Sequence, residues 1–316
     1  MSEVRLGLIG AGNIAKKHLE VIKNIKSMTA VGITSRTRSK AEEMAREFNI
    51  NRICDNSAEL VDKCNLHALL LLVSSDQMFS VTKNAIKFKL PFFMEKPPGL
   101  SPNETKILSG LVKDQNIPNM VGYNRRYYSI FHKGLDIIKK HGKLLGIRVE
   151  GHERFWRIAN RVNETVRTHW IYANSTHTID LLRFFGGEPS IVKSLSRSHI
   201  EKNGDQFAAI MEFESGAIGH YISHWYSPGG WSVRLFGEGV SVDYRPLESG
   251  KWIDNEFNEW EITPDDIDQN FKPGFYKQME AFERMIRKGK LEWPGQDISA
   301  SLKTMKIAEN ITQCLT

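Results

Sequence analysis

The sequence predicts two domains: a doubly wound parallel α/β sheet, then an α+β domain on an open, mostly antiparallel sheet with its helices on one face. Three observations carry that expectation. The chain has 316 residues, about twice a typical domain. Up to Gly122, short apolar runs alternate with helical patterns, as parallel β–α–β units require. Beyond it, strand patterns crowd together and the helices stand apart. We expect domains of residues 1–122 and 123–316, with the C-terminal helix able to pack back on the first. No low-complexity tract or long linker separates them, so the junction reads as a tight hinge.

The elements follow in order. Val4–Ile9 is an apolar run ending at a glycine and reads as a strand. Asn13–Lys26 places Ile14, His18, Val21, Ile22 and Ile25 at helical spacing. Thr29–Thr34 is the next strand and Ser39–Phe48 the next helix. Ala68–Val73 is continuously apolar, as a strand buried on both faces must be. Asp76–Lys89 is helical, Pro91–Met94 a strand, Ser101–Asp114 a helix and Ile117–Gly122 a strand. The second domain opens with a helix (Ser129–Lys140), a strand (Leu144–Arg154) and a helix (Thr176–Phe185). Strands follow at Ile191–Ser198, Gln206–Phe213, Ala217–His224, Ser232–Phe236 and Val240–Tyr244. Helices near Gly274–Lys288 and Ile298–Cys314 close the chain.

An apolar share of 41% and a charged share of 25% exclude a collagen-like or wholly disordered chain. The longest apolar run is far too short to span a bilayer, and no signal peptide is visible. Cys54, Cys64 and Cys314 form neither a disulfide framework nor a zinc motif; they read as small core residues in a reducing compartment, and the expected location is cytoplasmic. The net charge of +6 is uneven. Arg125 to Arg167 holds 11 Lys/Arg against 4 Asp/Glu, a local balance of +7, whereas Asp254 to Asp268 holds seven acids and no base. The two blocks are either solvated faces or, for the basic one, a surface turned to an anionic small molecule. No basic helix, RNA-binding signature or zinc finger points to nucleic acid.

Gly10-Ala11-Gly12-Asn13-Ile14-Ala15 is a G-x-G-x-x-A that ends the first strand and opens the first helix, the context dinucleotide binding needs. Gly10 permits the turn, Gly12 lets backbone approach a pyrophosphate, and Ala15 lets the helix pack on the sheet. The helix start at Asn13 and Ile14 offers free N–H groups to phosphates. An acid at the end of the second strand would hold the ribose of NAD. Here stand Ser35, Arg36 and Arg38, which suit a 2′-phosphate, so NADP is expected and NAD is the lesser alternative.

Four features then stand in order: Gly10 to Ala15, Glu95-Lys96-Pro97 after a later strand, Gly122-Tyr123-Asn124-Arg125-Arg126 at the junction, and His177-x-x-Asp180 on a helix. With Trp293-Pro294-Gly295-Gln296-Asp297 they make the chain resemble, over essentially its whole length, the Gfo/Idh/MocA oxidoreductases. The resemblance implies a Rossmann domain joined to an α+β domain. It also implies hydride transfer between a nicotinamide and a hydroxyl or keto carbon, usually of a sugar, cyclitol or nucleotide-linked sugar. It adds Ser74, Glu95, Lys96 and Asn124 to the expected cofactor contacts, and a homodimer or homotetramer through the open sheet.

Lys96, just past a strand end, is expected to hydrogen-bond the reacting oxygen and transfer its proton. Asn174 or Ser175 reads as the N-cap of the next helix. That puts His177 in its first turn, where the positive helix end favours a neutral imidazole, with Asp180 on the same face to fix the ring. Many relatives carry Asp-x-Gly-x-His; here Ala173 and Ser175 replace the Asp and Gly, so the Lys–Asp–His set is incomplete. Either Lys96 and His177 share the work, or Tyr172, Asn174 or another residue positions the substrate. Tyr123, Arg126, Arg154, Trp156, Arg157, Trp170, Asn174, Thr176, His177 and Asp180 are the candidate substrate contacts, through aromatic faces for sugar and arginines for phosphate or carboxylate. Three readings stand: an NADP(H)-dependent dehydrogenase of an anionic or nucleotide-linked sugar, which Lys96 and His177 favour; a non-catalytic dinucleotide-binding sensor; and a reductase of imines or unsaturated rings.

Overall fold

A computed structural model describes residues 3–313. The chain forms two compact units. One runs to Asn124 and also takes Asn270–Leu302; the other is Arg125–Gln269 with the residues from Lys303 on.

The first unit is a six-stranded, all-parallel sheet. Its elements are β1 (Val4–Ile9), α1 (Asn13–Ile22), β2 (Met28–Thr34), α2 (Arg38–Phe48), β3 (Arg52–Cys54), α3 (Ser57–Cys64), β4 (Ala68–Leu71), α4 (Ser75–Ala85), β5 (Phe92–Met94), α5 (Pro102–Asp114) and β6 (Asn119–Val121). The strand order is β3-β2-β1-β4-β5-β6, so the winding reverses between β1 and β4. Ligands bind outside the carboxyl ends of strands at such a switch point. Two backbone bonds align those ends: Gly10 N–H donates to Thr34 O and Leu72 N–H to Ile9 O, each at 2.8 Å. The core holds Leu69, Leu71, Phe92 and Met94, with the thiols of Cys54 and Cys64 buried among them as expected. Cys314 lies outside the described residues.

The second unit contains α6 (Ser129–His141), β7 (Leu144–Gly151), α7 (Phe155–Ile158), α8 (Glu164–Thr168), α9 (Thr176–Gly186), β8 (Pro189–Arg197), β9 (Gln206–Phe213), β10 (Ile218–His224), β11 (Trp231–Gly237), β12 (Val240–Tyr244), β13 (Gly250–Asp254), β14 (Glu259–Ile262) and α10 (Asp266–Asn270). The eight strands run in the order β14-β13-β12-β11-β7-β10-β9-β8, and only the β7–β10 pair is parallel. Burial alternates along β9: Phe207, Ala209, Met211 and Phe213 face inward while Ala208, Ile210 and Glu212 face out. The inner face packs on α9, where Gly186 lies so close that a Cβ would come within 2.7 Å of Ile147 and Phe213. On the outer face Leu145, Leu195, Ile210 and Ile218 are exposed. Two more helices follow: α11 (Phe275–Lys288), in the first unit, and α12 (Ile298–Thr312).

Several expectations change. The first helix ends at Ile22, where Lys23 caps it, and the Asp76–Lys89 helix is α4 plus a 3-10 turn at Ile86–Phe88. Strands β3, β13 and β14 and helices α3, α7, α8 and α10 add to the expected elements. The helix at 176–186 has no free start: a π turn, Ile171–Ser175, runs straight into it, and Ser175 is helical at φ −66°, ψ −15° with no side-chain cap. His177 therefore does not sit at an open positive helix end, because the N–H groups there already belong to a continuous helical ladder. Among the described residues no helix is long and apolar enough to cross a membrane.

Candidate functional site

A groove of about 460 Å³ opens where β1, β2 and β4 end in the first unit. Gly10 turns the chain at φ +113°, and a Cβ on it would strike Leu72 O at 2.3 Å. Only glycine meets both demands. Gly12 precedes α1, and a Cβ there would meet nothing within 4 Å, so its missing side chain leaves open space in the groove wall. No side chain caps α1 and its first turn holds no acid, so the N–H groups at Asn13 and Ile14 are left without a side-chain acceptor at the positive end of the helix. A carboxylate there would compete with a phosphate. Ser74 lines the opposite wall as the N-cap residue of α4, again with no side-chain cap bond. These features fit a dinucleotide.

The two arginines that the sequence treats alike part company. Arg36 lines the groove, is exposed, and makes no ion pair among the described residues. Arg38 is held by Glu42 at 3.1 Å and by Asp55, so its charge is already met. Ser35 Oγ accepts from Thr37 N–H at 3.3 Å and shapes the turn that presents Arg36. Lys40, in the first turn of α2, joins the lining and makes no ion pair among the described residues; no motif in the sequence singles it out.

Glu95 and Lys96 follow β5. The Glu95 side chain turns to α1, where His18 Nε2 lies 2.8 Å from its Oε1, and His18 is fully buried between Phe93 and Phe275. Through this contact Glu95 joins α1 to the loop that carries half-buried Lys96. Asn124 is buried and donates to Pro273 O at 3.0 Å. Tyr123, expected against substrate, is 2% exposed and packs in the first core with Val121 and Ile298.

In the second unit the expected His177–Asp180 partnership gives way to another. Asp180 is bound by Arg126 through Nε at 2.6 Å and Nη2 at 2.9 Å and by Thr304 at 2.9 Å, with Arg183 at 3.6 Å. A guanidinium buried beside a buried carboxylate must pair with it, since either charge alone would be strongly destabilising. Arg126 and Asp180 thus hold one another in the framework of the second unit. His177 is nearly buried, its ring 6.0 Å from that of Trp231.

Asn174 and Ser175 do not cap a helix. Asn174 Nδ2 donates to Glu153 Oε1 at 3.1 Å and Oε2 at 3.2 Å, and Ser175 Oγ donates to Glu153 Oε1 at 3.1 Å. Glu153 is a buried carboxylate that sequence reasoning missed; no local motif flags it, because its partners lie on a distant helical turn. Thr176 is fully buried and bonds Tyr172 O; Trp170 is buried edge-on to Phe155. Arg154, Trp156 and Arg157 are exposed. Within the basic segment Lys133, Arg148 and Arg167 pair with Asp265, Glu150 and Glu201, so part of it serves the protein itself, one pair reaching the acidic block. Arg154, Arg157 and Arg161 make no ion pair among the described residues.

The fold and groove are those of a dinucleotide-binding protein. Residues 4–123 match the Gfo/Idh/MocA oxidoreductase family with its NAD-binding Rossmann fold, and residues 139–243 match the Gfo/Idh/MocA C-terminal domain. The chain belongs to this family and is an NAD(P)-dependent enzyme. It is similar to scyllo-inositol 2-dehydrogenase (NAD(+)) of Bacillus subtilis, 24% identical over 310 residues, covering 91% of this chain and 87% of that one. It is 28% identical over 151 residues to glucose-6-phosphate 3-dehydrogenase of the same organism, covering 46% and 41% of the two chains. Among solved structures, UDP-N-acetylglucosamine 3-dehydrogenase of Acidithiobacillus ferrooxidans shares the fold at a TM-score of 0.81 and 17% identity, covering 100% of this chain and 98% of that one.

Proposed function

We propose that the protein is an NADP(H)-dependent dehydrogenase acting between a hydroxyl and a keto carbon of a sugar that carries an anionic group. The observation that carries the cofactor choice is the groove itself: Arg36 and Lys40 line it without ion pairs, where an NAD-specific site would set an acid. When bound, the dinucleotide gives or takes the hydride. Lys96 hydrogen-bonds the reacting oxygen, stabilises charge growing on it and moves its proton. His177 orients the hydroxyl. Ala173 carries no proton, and Glu153 holds Asn174 and Ser175 in place by hydrogen bonds, so that segment keeps its geometry without the family's Asp.

Arg154, Arg157 and Trp156 support an anionic, ring-bearing substrate. Two relatives whose names specify phosphorylated or nucleotide-linked sugars agree with it. The apolar outer sheet face, with Leu195 and Ile210 exposed, supports self-association. The test is turnover of a panel of cyclitols, sugars, sugar phosphates and nucleotide-sugars with NADP+ and with NAD+. The proposal expects NADP+ and an anionic sugar to give the highest kcat/KM. Preference for NAD+, or for neutral sugars, overturns the corresponding part.

A further inference from the structure

Within the second unit, a hollow of about 330 Å³ is lined by Arg154, Gly229, Gly230, Trp231, Arg245 and Glu248, with Pro246 and Leu247. We infer that this hollow is a phosphoryl subsite, taking a phosphate group borne by the sugar substrate. The inference rests on the dehydrogenase reading above and adds Arg245, Trp231 and the glycine turn, none of which the sequence singled out as substrate contacts.

Two cations converge there. Arg154 is exposed and makes no ion pair among the described residues. Arg245 is 63% exposed, and its ion pair with Glu150 is 3.6 Å long, well beyond the 2.7–2.9 Å of a charge-assisted hydrogen bond. Both guanidinium forks are therefore available to a ligand, and a phosphate offers three strong acceptor oxygens to them. The wall between them is shaped for an approach. Gly229 packs on His152, where a Cβ would come within 2.9 Å, while a Cβ on Gly230 would meet nothing within 4 Å. The turn is held on one side and open on the other.

Trp231 ties the hollow to the chemistry. Its ring lies 6.0 Å from that of His177 and has the Arg125 guanidinium 4.5 Å over it. A sugar ring lying along an aromatic wall places its phosphate toward the arginines and its hydroxyls toward the histidine. Glu248 is the one acid in the lining; Tyr128 Oη donates to it at 3.1 Å. A carboxylate repels a bare anion but accepts from hydroxyls, so the lining as a whole suits a phosphate ester of a polyol. The volume stands at the small end of ligand pockets, enough for the phosphate or pyrophosphate end of a substrate, with any nucleoside left outside the hollow.

The test is titration calorimetry on the full chain at saturating NADP+, which fills the dinucleotide groove. The probes are glucose 6-phosphate, UDP and glucose. At least one phosphate probe should bind ten-fold or more tighter than glucose, and the advantage should shrink with added salt. Arg154→Ala and Arg245→Ala should each weaken that probe about ten-fold. Lys139→Ala, an exposed cation of α6, should not. Tighter binding of glucose 6-phosphate assigns the site to a sugar phosphate, and tighter binding of UDP to a nucleotide-linked sugar. Arg245→Gln, with unchanged melting temperature, guards against loss of fold. If neither phosphate probe outbinds glucose, or the arginine variants bind like wild type, the subsite is wrong. If phosphate binding depends on both arginines but no sugar is oxidised or reduced, the subsite stands and the dehydrogenase reading falls. If sugars turn over at rates indifferent to the phosphate and to both arginines, the dehydrogenase reading stands and the subsite falls.

Discussion

Replacing Arg36 by serine should change which dinucleotide the protein prefers, not whether it binds one. Arg36 is exposed and makes no ion pair among the described residues, so its removal breaks nothing in the protein and the effect falls on the ligand. One charge-assisted contact to phosphate contributes about 1.5–3 kcal/mol. Solvent exposure and a Debye length of ~8 Å at physiological salt press the value to the lower end. The expected loss for NADP+ is thus about 1.5 kcal/mol, roughly ten-fold. Lys40 in the same lining keeps it from being larger. NAD+, which lacks the 2′-phosphate, should bind within about two-fold of wild type, that single contact being absent from it. Arg38→Ser is the matched control, because Glu42 and Asp55 already hold that side chain. Calorimetric titration of both variants with both cofactors checks the reasoning. Equal weakening of NADP+ and NAD+ by Arg36→Ser, or a greater selective loss from Arg38→Ser, refutes it.

Three further outcomes follow from the geometry. Arg126→Met leaves Asp180, at 1% exposure, with only Thr304 at 2.9 Å and the looser Arg183 pair at 3.6 Å, and should cost about 3 kcal/mol in urea unfolding of the second unit, largely restored in Arg126→Met/Asp180→Leu. His18→Ala removes the buried partner of Glu95 and should lower kcat more than cofactor affinity, while His18→Gln, which keeps a donor, recovers most of the rate. Glu201 gives a pH signature: burial works to raise its pKa, but hydrogen bonds from Arg167 and Tyr226 outweigh it and hold the carboxyl below its usual value. A folded-state pKa below the unfolded one stabilises the protein above about pH 4.3, and the gain is lost as pH falls through the depressed value. Glu201→Gln should therefore lower Tm by about 2–4 °C at pH 7, and the gap should close in acid melts.

Periodicity made most of the fold legible. The apolar run at 68–73 and the G-x-G-x-x-A turn fix the centre of the first sheet and the groove beside it. What escaped was short, at an edge, or charged. β3 is three residues long with exposed Arg52 at its start, and pairs only with β2. In β13 and β14 charged residues alternate with aromatic ones, Trp252 stacking on Trp260 at 4.1 Å, so a run that reads as an acidic surface block is a hairpin at the sheet edge. The candidate site divides in the same way. Gly10 and Gly12 are dictated by local backbone, which a motif records. The partners of Asp180, Glu95 and Asn174 come from distant segments, and residue type alone does not tell which acid meets which base. Asn174 and Ser175 illustrate the hazard: they have the chemistry of N-caps, yet a buried glutamate 21 residues away from Asn174 takes their hydrogen bonds.

The central claim is that Lys96 moves the proton of a sugar hydroxyl in a reaction coupled to NADP+. Its most direct test is single-variant kinetics: NADPH formation by Lys96→Ala against wild type on the best substrate of the panel, with NADP+ affinity measured on the same preparations. Loss of one general acid–base group typically costs about 10²–10⁴-fold in rate. The predicted result is a fall in kcat of that size with NADP+ affinity held within about two-fold, since the groove lining does not include Lys96. Unchanged turnover in Lys96→Ala, with cofactor still bound, would contradict it.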